Sequence, residues 1–328
     1  MQALQRRTLS ISGVFIAAAV LLATLPVWLP LVALADLLRG RARLPIARLL
    51  LFALGWAWLE SVAVVLLGFL WAARQSGNHR VHYRLQRWWA ARLLSILRVT
   101  TGIRVQATGV DAFTPSPTIL LCRHASLADS LVSAWVVTTL ARLQPRYVLK
   151  RELLFDPCLD IVGNRLPNHF LDRGAADSTP ELAALTRLTA DLGANDVAII
   201  FPEGTRSSPA KRARALGKLA ERDPQRATRL QSLHHLLPPR PAGAAAMLAG
   251  NADADVVVAW HTGFDGLDTF GGILRHIART PPPVQFVATR VARDQVPAGD
   301  GFTAWLDETW LMADVAVGEM LSAPHGAR

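Results

Sequence analysis

The chain contains little cysteine and lacks the sequence pattern of a serine hydrolase. Cys122 and Cys158 are the only cysteines in 328 residues, which is too few for a disulfide framework. They also lack the spacing of metal ligands, so a reducing compartment fits better than a secreted location. No Gly-x-Ser-x-Gly segment is present, and this absence argues against an esterase built on a nucleophilic serine.

Lysine is also scarce, so the positive charge of the chain comes almost entirely from arginine. Lys150, Lys211 and Lys218 are the only lysines, although the formal net charge is +10. A strongly basic protein needs an anionic partner, which can be nucleic acid, an anionic lipid surface or a phosphate-bearing substrate. The mean hydropathy of the chain is positive, and this disfavours a nucleic-acid binder. We therefore expect an anionic membrane surface or a phosphate-bearing substrate, and no nucleic acid.

Two long apolar runs, 11–38 and 46–73, lie in the first part of the chain. Each exceeds the roughly 20 residues that a membrane-crossing helix requires. Pro26 interrupts the first run, and Glu60 would lie near mid-membrane in the second. Arginines flank both runs and also fill the loop between them, so two complete crossings would conflict with the positive-inside tendency. We predict a two-helix anchor over residues 1–75 that dips into one leaflet, with complete crossing and a cleaved signal peptide as the alternatives.

Residues 76–328 are predicted to form one domain. Within it, 76–100 combine arginines and tryptophans at helical spacing, which predicts a helix lying among lipid headgroups. An ordinary surface helix of the domain is the alternative. The stretch 207–240 is rich in arginine and proline and is predicted to be an insertion or a loosely helical excursion on the domain surface.

Beyond residue 102, short apolar runs alternate with helix-like segments. This alternation predicts a layered α/β domain. The predicted strands are 103–107, 118–122, 147–149, 196–201, 255–260 and 284–289. The predicted helices are 127–142, 180–192 and 302–321.

His124 and Asp129 are the first residues with catalytic potential. His124 follows the strand predicted to end at residue 122, and active residues often lie at the carboxyl ends of strands in α/β sheets. On one continuous helix the two side chains would point about 140° apart, so they can meet only if His124 lies in a turn before the helix. Asp129 could then accept a hydrogen bond from the imidazole and leave its other nitrogen to take a proton from an alcohol. A helix-capping histidine beside an unrelated carboxylate is the alternative.

A second polar group follows the strand predicted at 196–201. The segment Phe201-Pro202-Glu203-Gly204-Thr205-Arg206-Ser207 combines a glycine, two hydroxyl side chains and an arginine. Gly204 allows the backbone to approach a ligand, and Arg206 can bind a phosphate through two N–H groups. These properties predict an anion-binding loop, with a surface turn as the alternative.

Other reactive side chains have simpler interpretations. Cys122 could act as a thiolate nucleophile, but at the end of an apolar strand it is more typical of a small buried hydrophobe. His234 and His235 have no third ligand at a suitable spacing, so no metal site is predicted. His261 follows the strand predicted at 255–260 and is interpreted as structural.

Taken together, these segments resemble the motifs of the 1-acyl-glycerol-3-phosphate acyltransferase family. In chain order, the resembling segments are 124–129, Gly163 with 169–173, 201–207, and 255–259. The segment 233–240 also resembles one branch of the family, which includes bacterial inner-membrane members and lysophosphatidate or lysocardiolipin acyltransferases. Arg123 and Leu127 depart from the usual Asn and Trp, so the surroundings of His124 are the part of the site that the resemblance predicts least.

The resemblance implies a fold, a reaction and a location. The expected fold is a layered α/β domain with a mixed sheet flanked by helices, behind a two-helix membrane anchor. His124, oriented by Asp129, would deprotonate the free hydroxyl of a lysophospholipid, which attacks the thioester of acyl-CoA or acyl-carrier protein without a cofactor or metal. The most specific expectation is conversion of 1-acyl-glycerol-3-phosphate to phosphatidate, at the cytoplasmic face of a bacterial inner membrane.

The resemblance also implies a set of substrate-binding residues. In this set Glu203 would orient hydrogen-bond donors rather than meet the phosphate, because two anions repel each other. The implied residues are Lys150, Arg173, Glu203, Gly204, Thr205 and Arg206.

Two other classes of protein remain open. One is a non-catalytic membrane-remodelling protein on the same fold, and the other is a hydrolase in which His124 activates water. Among acyltransferases, the acceptor could instead be lysocardiolipin, another lysophospholipid or an acylated amino-acid lipid. The sequence does not separate these acceptors, because the shape of the pocket sets the preferred headgroup.

Overall fold

A computed structural model describes residues 3–126, 128–172, 178–267 and 269–323, which divide into two compact units. The first unit takes in the described residues of Met1–Arg104, Leu149–Arg173 and Gly271–Pro281, and the second takes in those of Val105–Val148, Gly174–Phe270 and Pro282–Arg328. The helices are α1 Ala3–Ala23, α2 Leu25–Leu38, α3 Pro45–Ala72, α4 His79–Thr101, α5 Asp129–Trp135, α6 Pro157–Arg165, α7 Thr179–Thr189, α8 Pro209–Arg222, α9 Pro224–Leu230, α10 Pro241–Gly250, α11 Phe270–Ile277 and α12 Asp300–Ser322. The strands are β1 Val105–Thr108, β2 Thr118–Cys122, β3 Gln144–Lys150, β4 His169–Leu171, β5 Asp196–Ile200, β6 Asp255–Thr262 and β7 Val284–Val291.

Helices α1 and α3 of the first unit are long and apolar enough to cross a membrane. They correspond to the two predicted anchor helices. The first apolar run does not form one helix, however, because Pro26 stands in the first turn of α2 and a new helix begins at Leu25. Helix α4 packs along α3, where the indole N–H of Trp89 donates to a carboxylate oxygen of Glu60 at 2.6 Å. Helix α4 thus groups with the first unit, and both the domain boundary at residue 75 and the contact of α4 with lipid headgroups stay predictions.

Buried carboxylates connect the helices of the first unit. Asp160 in α6 accepts hydrogen bonds from the guanidinium groups of Arg6 at 2.9 Å and Arg7 at 3.2 Å, both on α1. Asp36 near the end of α2 accepts the backbone N–H groups of Ile46 at 2.9 Å and Ala47 at 3.2 Å, in the first turn of α3. Each bond satisfies a polar group that apolar packing would leave unpaired.

The second unit contains a mixed sheet in which the strands lie in the order β1-β7-β6-β2-β5-β3. The β6–β7 pair is antiparallel, and the β1–β7, β6–β2, β2–β5 and β5–β3 pairs are parallel. All five residues of β2 are buried, which is typical of a central parallel strand covered on both faces. Helices α7, α10 and α12 contribute apolar side chains to the core that includes β2, β5 and β6. The predicted α/β architecture is confirmed.

Several local features differ from the sequence predictions, among them three helices, α6, α10 and α11, that were not predicted. The short strand β4 was not predicted, since three residues are too few to show an alternating pattern. The stretch 207–240, expected to be loosely helical, contains two well-capped helices. The hydroxyl of Ser208 accepts the N–H of Lys211 at the start of α8, and the carboxylate of Asp223 accepts the N–H of Arg226 at the start of α9.

Candidate active site

Strand order and register bring three distant segments of the second unit together. In the parallel ladders of β2, Leu121 lies opposite Ile200 of β5, and Cys122 lies opposite Ala259 of β6. Continuing both registers beyond the strand ends places His124 between Glu203 on one side and His261 on the other. The sheet therefore sets three titratable side chains in a row at the carboxyl ends of adjacent strands.

His124 and Asp129 meet in the geometry that their spacing predicts. His124 lies in the turn after β2, and Asp129 is the first residue of α5. The Nδ1 atom of His124 lies 2.9 Å from Oδ2 of Asp129. The ring of His124 also packs against Phe201, with 4.8 Å between the ring centroids. The imidazole is thus held on two sides, and its side chain keeps 10% exposure to solvent.

The Asp129 carboxylate is saturated with hydrogen bonds from its own turn. Oδ2 accepts the N–H groups of Ala125 at 2.6 Å and Ser126 at 2.8 Å, and Oδ1 accepts the hydroxyl of Ser126 at 2.6 Å. Burial by itself raises the pKa of Asp129, but His261, His124 and the Ser126 hydroxyl outweigh burial and lower the pKa below its ordinary value. Asp129 is therefore a carboxylate near neutral pH.

Glu203 connects the predicted anion-binding loop to the turn that holds His124. Its Oε1 accepts the backbone N–H of His124 at 2.7 Å, and its Oε2 accepts the backbone N–H of Leu237 at 3.0 Å. Burial raises the pKa of Glu203 to about 8, against the opposing effects of these hydrogen bonds and of Arg123. Glu203 is 1% exposed and both oxygens are occupied by backbone donors, which fits the expected orienting role.

The anion-binding loop lies directly beside the turn that carries His124. The backbone N–H of Ser207 donates to the carbonyl oxygen of His124 at 2.7 Å. Gly204 has a φ of +71°, a left-handed conformation that glycine adopts at little cost. A Cβ atom built on Gly204 would lie 3.3 Å from the Arg240 side chain, whose backbone N–H donates to the carbonyl of Pro202. Arg240 thus brings a second guanidinium to the loop that already contains Arg206.

The segment Leu233–Arg240 is held against this loop by buried acids and one arginine. Asp314 of α12 accepts the backbone N–H groups of His234, His235 and Leu236 at 2.7 to 2.8 Å. Arg226 of α9 donates to the carbonyl of Pro239 at 2.7 Å and pairs with Asp307 of α12. These hydrogen bonds fix the segment beside the anion-binding loop. They are made by backbone groups of the segment and do not involve the imidazoles of the two histidines.

Arg123 stands where the resembling family usually has Asn, and it is a buried residue next to His124 in the sequence. It donates through Nη1 to the carbonyl oxygen of His261 and through Nη2 to Oδ1 of Asp265 at 2.6 Å. Its side chain is 1% exposed. The substitution therefore places a buried positive charge between β2 and the turn after β6.

The other predicted residues differ in how directly the structure places them at the site. Thr205 and Arg206 are partly exposed members of the anion-binding loop. Lys150 ends β3 and is grouped with the first unit, and Arg173 lies outside the described residues. Burial, together with the charges of Asp129 and Glu203, raises the pKa of the Cys122 thiol well above its ordinary value, which disfavours a thiolate nucleophile.

Several residues near the site had no assigned role in the sequence predictions. Asp314, Asp307 and Arg226 hold the Leu233–Arg240 segment, and their separation in sequence gave no signal of this contact. His261 carried a weak signal, because it comes directly after the segment predicted as a strand, and in the structure it lies near the end of β6, which pairs with the strand before His124. Only the register of that pair reveals that the two histidines are aligned.

Comparisons with known proteins bear on the family and on the fold. Residues 104–259 match the family model described as Acyltransferase. The chain is similar to the crystal structure of the 1-acyl-sn-glycerophosphate (LPA) acyltransferase, PlsC, from Thermotoga maritima, at 17% sequence identity with a TM-score of 0.57. The similarity covers 85% of this chain and 98% of that chain, and at this identity it shows a shared fold. No curated protein matches the chain.

Proposed function

We propose that this chain, whose residues 104–259 match the Acyltransferase family model, acylates the free hydroxyl of 1-acyl-glycerol-3-phosphate to form phosphatidate. The donor in this proposal is the thioester of acyl-CoA or acyl-carrier protein. The observation that carries the proposal is the contact of His124 with Asp129 beside a loop that contains Arg206. The choice of lysophosphatidate as acceptor follows the structural relative, which is an LPA acyltransferase.

The proposed mechanism is direct transfer with His124 as the general base. Asp129 accepts the hydrogen bond of the Nδ1–H group of His124, so Nε2 is the nitrogen that takes the proton of the acceptor hydroxyl. The hydroxyl oxygen attacks the thioester carbonyl, the carbon–sulfur bond breaks, and the thiolate leaves with the proton that His124 returns. The negative charge of Asp129 stabilises the imidazolium formed on the way. General-base catalysis of this kind typically contributes ~10²- to 10⁴-fold in rate.

In this proposal the acceptor phosphate binds to arginines of the anion-binding loop. Arg206 and Arg240 supply guanidinium groups there, and Gly204 and Thr205 shape the backbone around the phosphate. Lys150 and Arg173 are proposed as further phosphate ligands on the basis of the family motifs. Glu203 takes no part in phosphate binding, because both of its oxygens already accept backbone N–H groups.

The proposal is tested with detergent-purified protein, lysophosphatidate and radiolabelled acyl-CoA. We expect labelled phosphatidate from the parent protein and none from His124→Ala, with both proteins showing the same thermal unfolding. Monoacylglycerol, which lacks the phosphate, should be a much poorer acceptor. Wild-type turnover by His124→Ala would contradict the mechanism, free fatty acid as the sole product would favour a hydrolase, and labelling of lysocardiolipin alone would change the acceptor.

We further propose that α1 and α3 anchor the enzyme in a bacterial inner membrane, with the site facing the cytoplasm and an anionic lipid surface. The net charge of +10 and the two apolar helices support this location. The same assay on sealed vesicles tests it, because acyl-CoA does not cross a bilayer. Inside-out vesicles should form phosphatidate without detergent, and activity confined to right-side-out vesicles would contradict the proposed orientation.

A further inference from the structure

A second histidine lies against the carboxylate that orients His124. The Nε2 atom of His261 is 3.3 Å from Oδ1 of Asp129, the oxygen that does not contact His124. The His261 side chain is completely buried, and among the described residues neither of its ring nitrogens makes a hydrogen bond of good geometry. Burying a polar ring without satisfying it costs free energy. The contact with Asp129 is therefore the polar contact of this ring that can offset the cost.

The position of His261 is fixed by its neighbours. Its backbone carbonyl accepts a hydrogen bond from Arg123, and the guanidinium of Arg123 is itself held by Asp265. The ring of Phe264 meets the imidazole edge to face, with 5.7 Å between the centroids. Strand β7 places Phe286 opposite His261 in the antiparallel ladder. An imidazole confined in this way presents Nε2 to Asp129 in a single orientation.

The charges around His261 determine the protonation state and the tautomer of its ring. Among the described residues, the charged groups that act on it are Asp129 of α5, Arg123 after β2 and Asp265 after β6. Burial lowers the pKa of His261, and the positive charge of Arg123 lowers it further, while Asp129 and Asp265 oppose this effect. The ring is therefore neutral near neutral pH. Because an ionised carboxylate only accepts hydrogen bonds, the single ring proton belongs on Nε2.

We propose that His261 is a positioning residue of the acyl transfer, whose Nε2–H faces Oδ1 of Asp129 and keeps this carboxylate ionised and oriented toward His124. The inference rests on the proposed function, because it takes His124 as the base. Asp129 then lies between two imidazoles with different tasks. The partly exposed His124 exchanges protons with substrate, and the buried His261 sets how strongly Asp129 holds the proton of His124.

Removal of the Nε2–H has a consequence with a definite sign. Asp129 loses the N–H group that faces Oδ1 at 3.3 Å and becomes more basic, so it holds the His124 proton more tightly. The protonated, inactive imidazole of His124 then persists to higher pH. The acid limb of kcat/KM against pH should therefore move to higher pH, whereas a loss of packing alone would lower the rate equally at every pH.

The experiment compares His261→Phe with His261→Gln in the acyl-transfer assay across pH. Phe keeps a ring but removes the N–H, and Gln retains an N–H donor at the position of Nε2. At about pH 6 we expect His261→Phe to lose about tenfold in kcat/KM, the scale of one hydrogen bond to a charged group, and to recover toward the parent value as the pH rises. His261→Gln should keep the acid limb of kcat/KM at the same pH as in the parent protein. His276→Phe, a half-buried histidine of the first unit, is the matched control and should leave the limb unmoved.

Two safeguards keep the test decisive. Thermal unfolding verifies that each variant is folded, and His261→Leu, which also lacks the N–H but is smaller, replaces His261→Phe if the larger ring prevents folding. The rate at which diethyl pyrocarbonate modifies His124, measured by mass spectrometry across pH, reports the neutral imidazole without any substrate. This rate should shift with pH in the same direction as the acid limb.

The possible outcomes separate this inference from the proposed function. An unmoved acid limb and modification profile in folded His261→Phe or His261→Leu overturn the role of His261. Equal shifts in the Phe and Gln variants also overturn it, because they indicate packing rather than the N–H donor. If the parent transfers no acyl chain but the modification profile still shifts, the proposed function fails while the positioning role of His261 is supported.

Discussion

Two buried carboxylates, one in each unit, are stabilised in different ways. In the first unit, Asp160 is neutralised by the guanidinium groups of Arg6 and Arg7. In the second unit, Asp129 has no arginine or lysine partner among the described residues and is stabilised by N–H groups, a hydroxyl and two imidazoles. Arginine stays charged at every accessible pH, whereas an imidazole gains and loses its proton near neutrality.

This difference separates a carboxylate suited to a structural role from one suited to the proposed chemistry. Asp160 forms a permanent ion pair, so its charge is already balanced and it fixes α1 against α6. Asp129 keeps a negative charge that becomes fully balanced only when His124 takes a proton. A carboxylate held by neutral donors can therefore favour a transient imidazolium, which is what the proposed base requires.

The largest expected effect comes from Asp129→Asn. The amide cannot serve as the anionic acceptor for Nδ1, so His124 loses its tautomer preference and the stabilisation of its protonated form. We expect turnover to fall by about 10³- to 10⁴-fold in the acyl-transfer assay, with the fold retained. Asp294→Asn, at an exposed position, is the control and should be unchanged. An Asp129→Asn enzyme that keeps most of the parent turnover would show that the difference between the two carboxylates is not catalytic.

Asp160→Asn tests the structural side of the comparison. The substitution leaves Arg6 and Arg7 without their anion, although both guanidinium groups are partly exposed and can be hydrated. We expect a loss of about 1–3 kcal/mol in the free energy of unfolding, measured by thermal unfolding in detergent, and unchanged turnover per folded molecule. Glu152→Gln, an exposed acid of the same unit, is the control. A fall in turnover without a loss of stability would place Asp160 in the catalytic machinery instead.

Glu203→Gln should give the smallest effect, visible mainly in the pH dependence of stability. Burial raises the folded-state pKa of Glu203 from 4.5 to about 8. The folded protein then binds a proton more tightly than the unfolded chain, so this group makes stability decrease as pH rises through that window. We expect the parent Tm to fall between about pH 5 and about pH 8, and Glu203→Gln to flatten this fall. A parallel pH profile for the two proteins would show that Glu203 is already ionised throughout.

Local sequence signals predicted those parts of the site that depend on residues close together in the chain. The spacing of His124 and Asp129 predicted a strand, a turn and a helix, and the structure has these elements. The assigned catalytic and binding roles stay predictions. At 207–240 composition indicated an insertion or a loosely helical excursion, and the capping side chains of Ser208 and Asp223 start two defined helices there.

The sequence by itself determined the order of motifs, the apolar anchor segments, and the local turn that joins His124 to Asp129. These features depend on residue type and on contacts within a few residues. Tertiary structure alone decided that Glu203 links His124 to Leu237, that Arg240 lies at Gly204, and that His261 faces Asp129. Such contacts depend on strand order and register between segments far apart in the chain, because parallel strands align the residues that follow their ends.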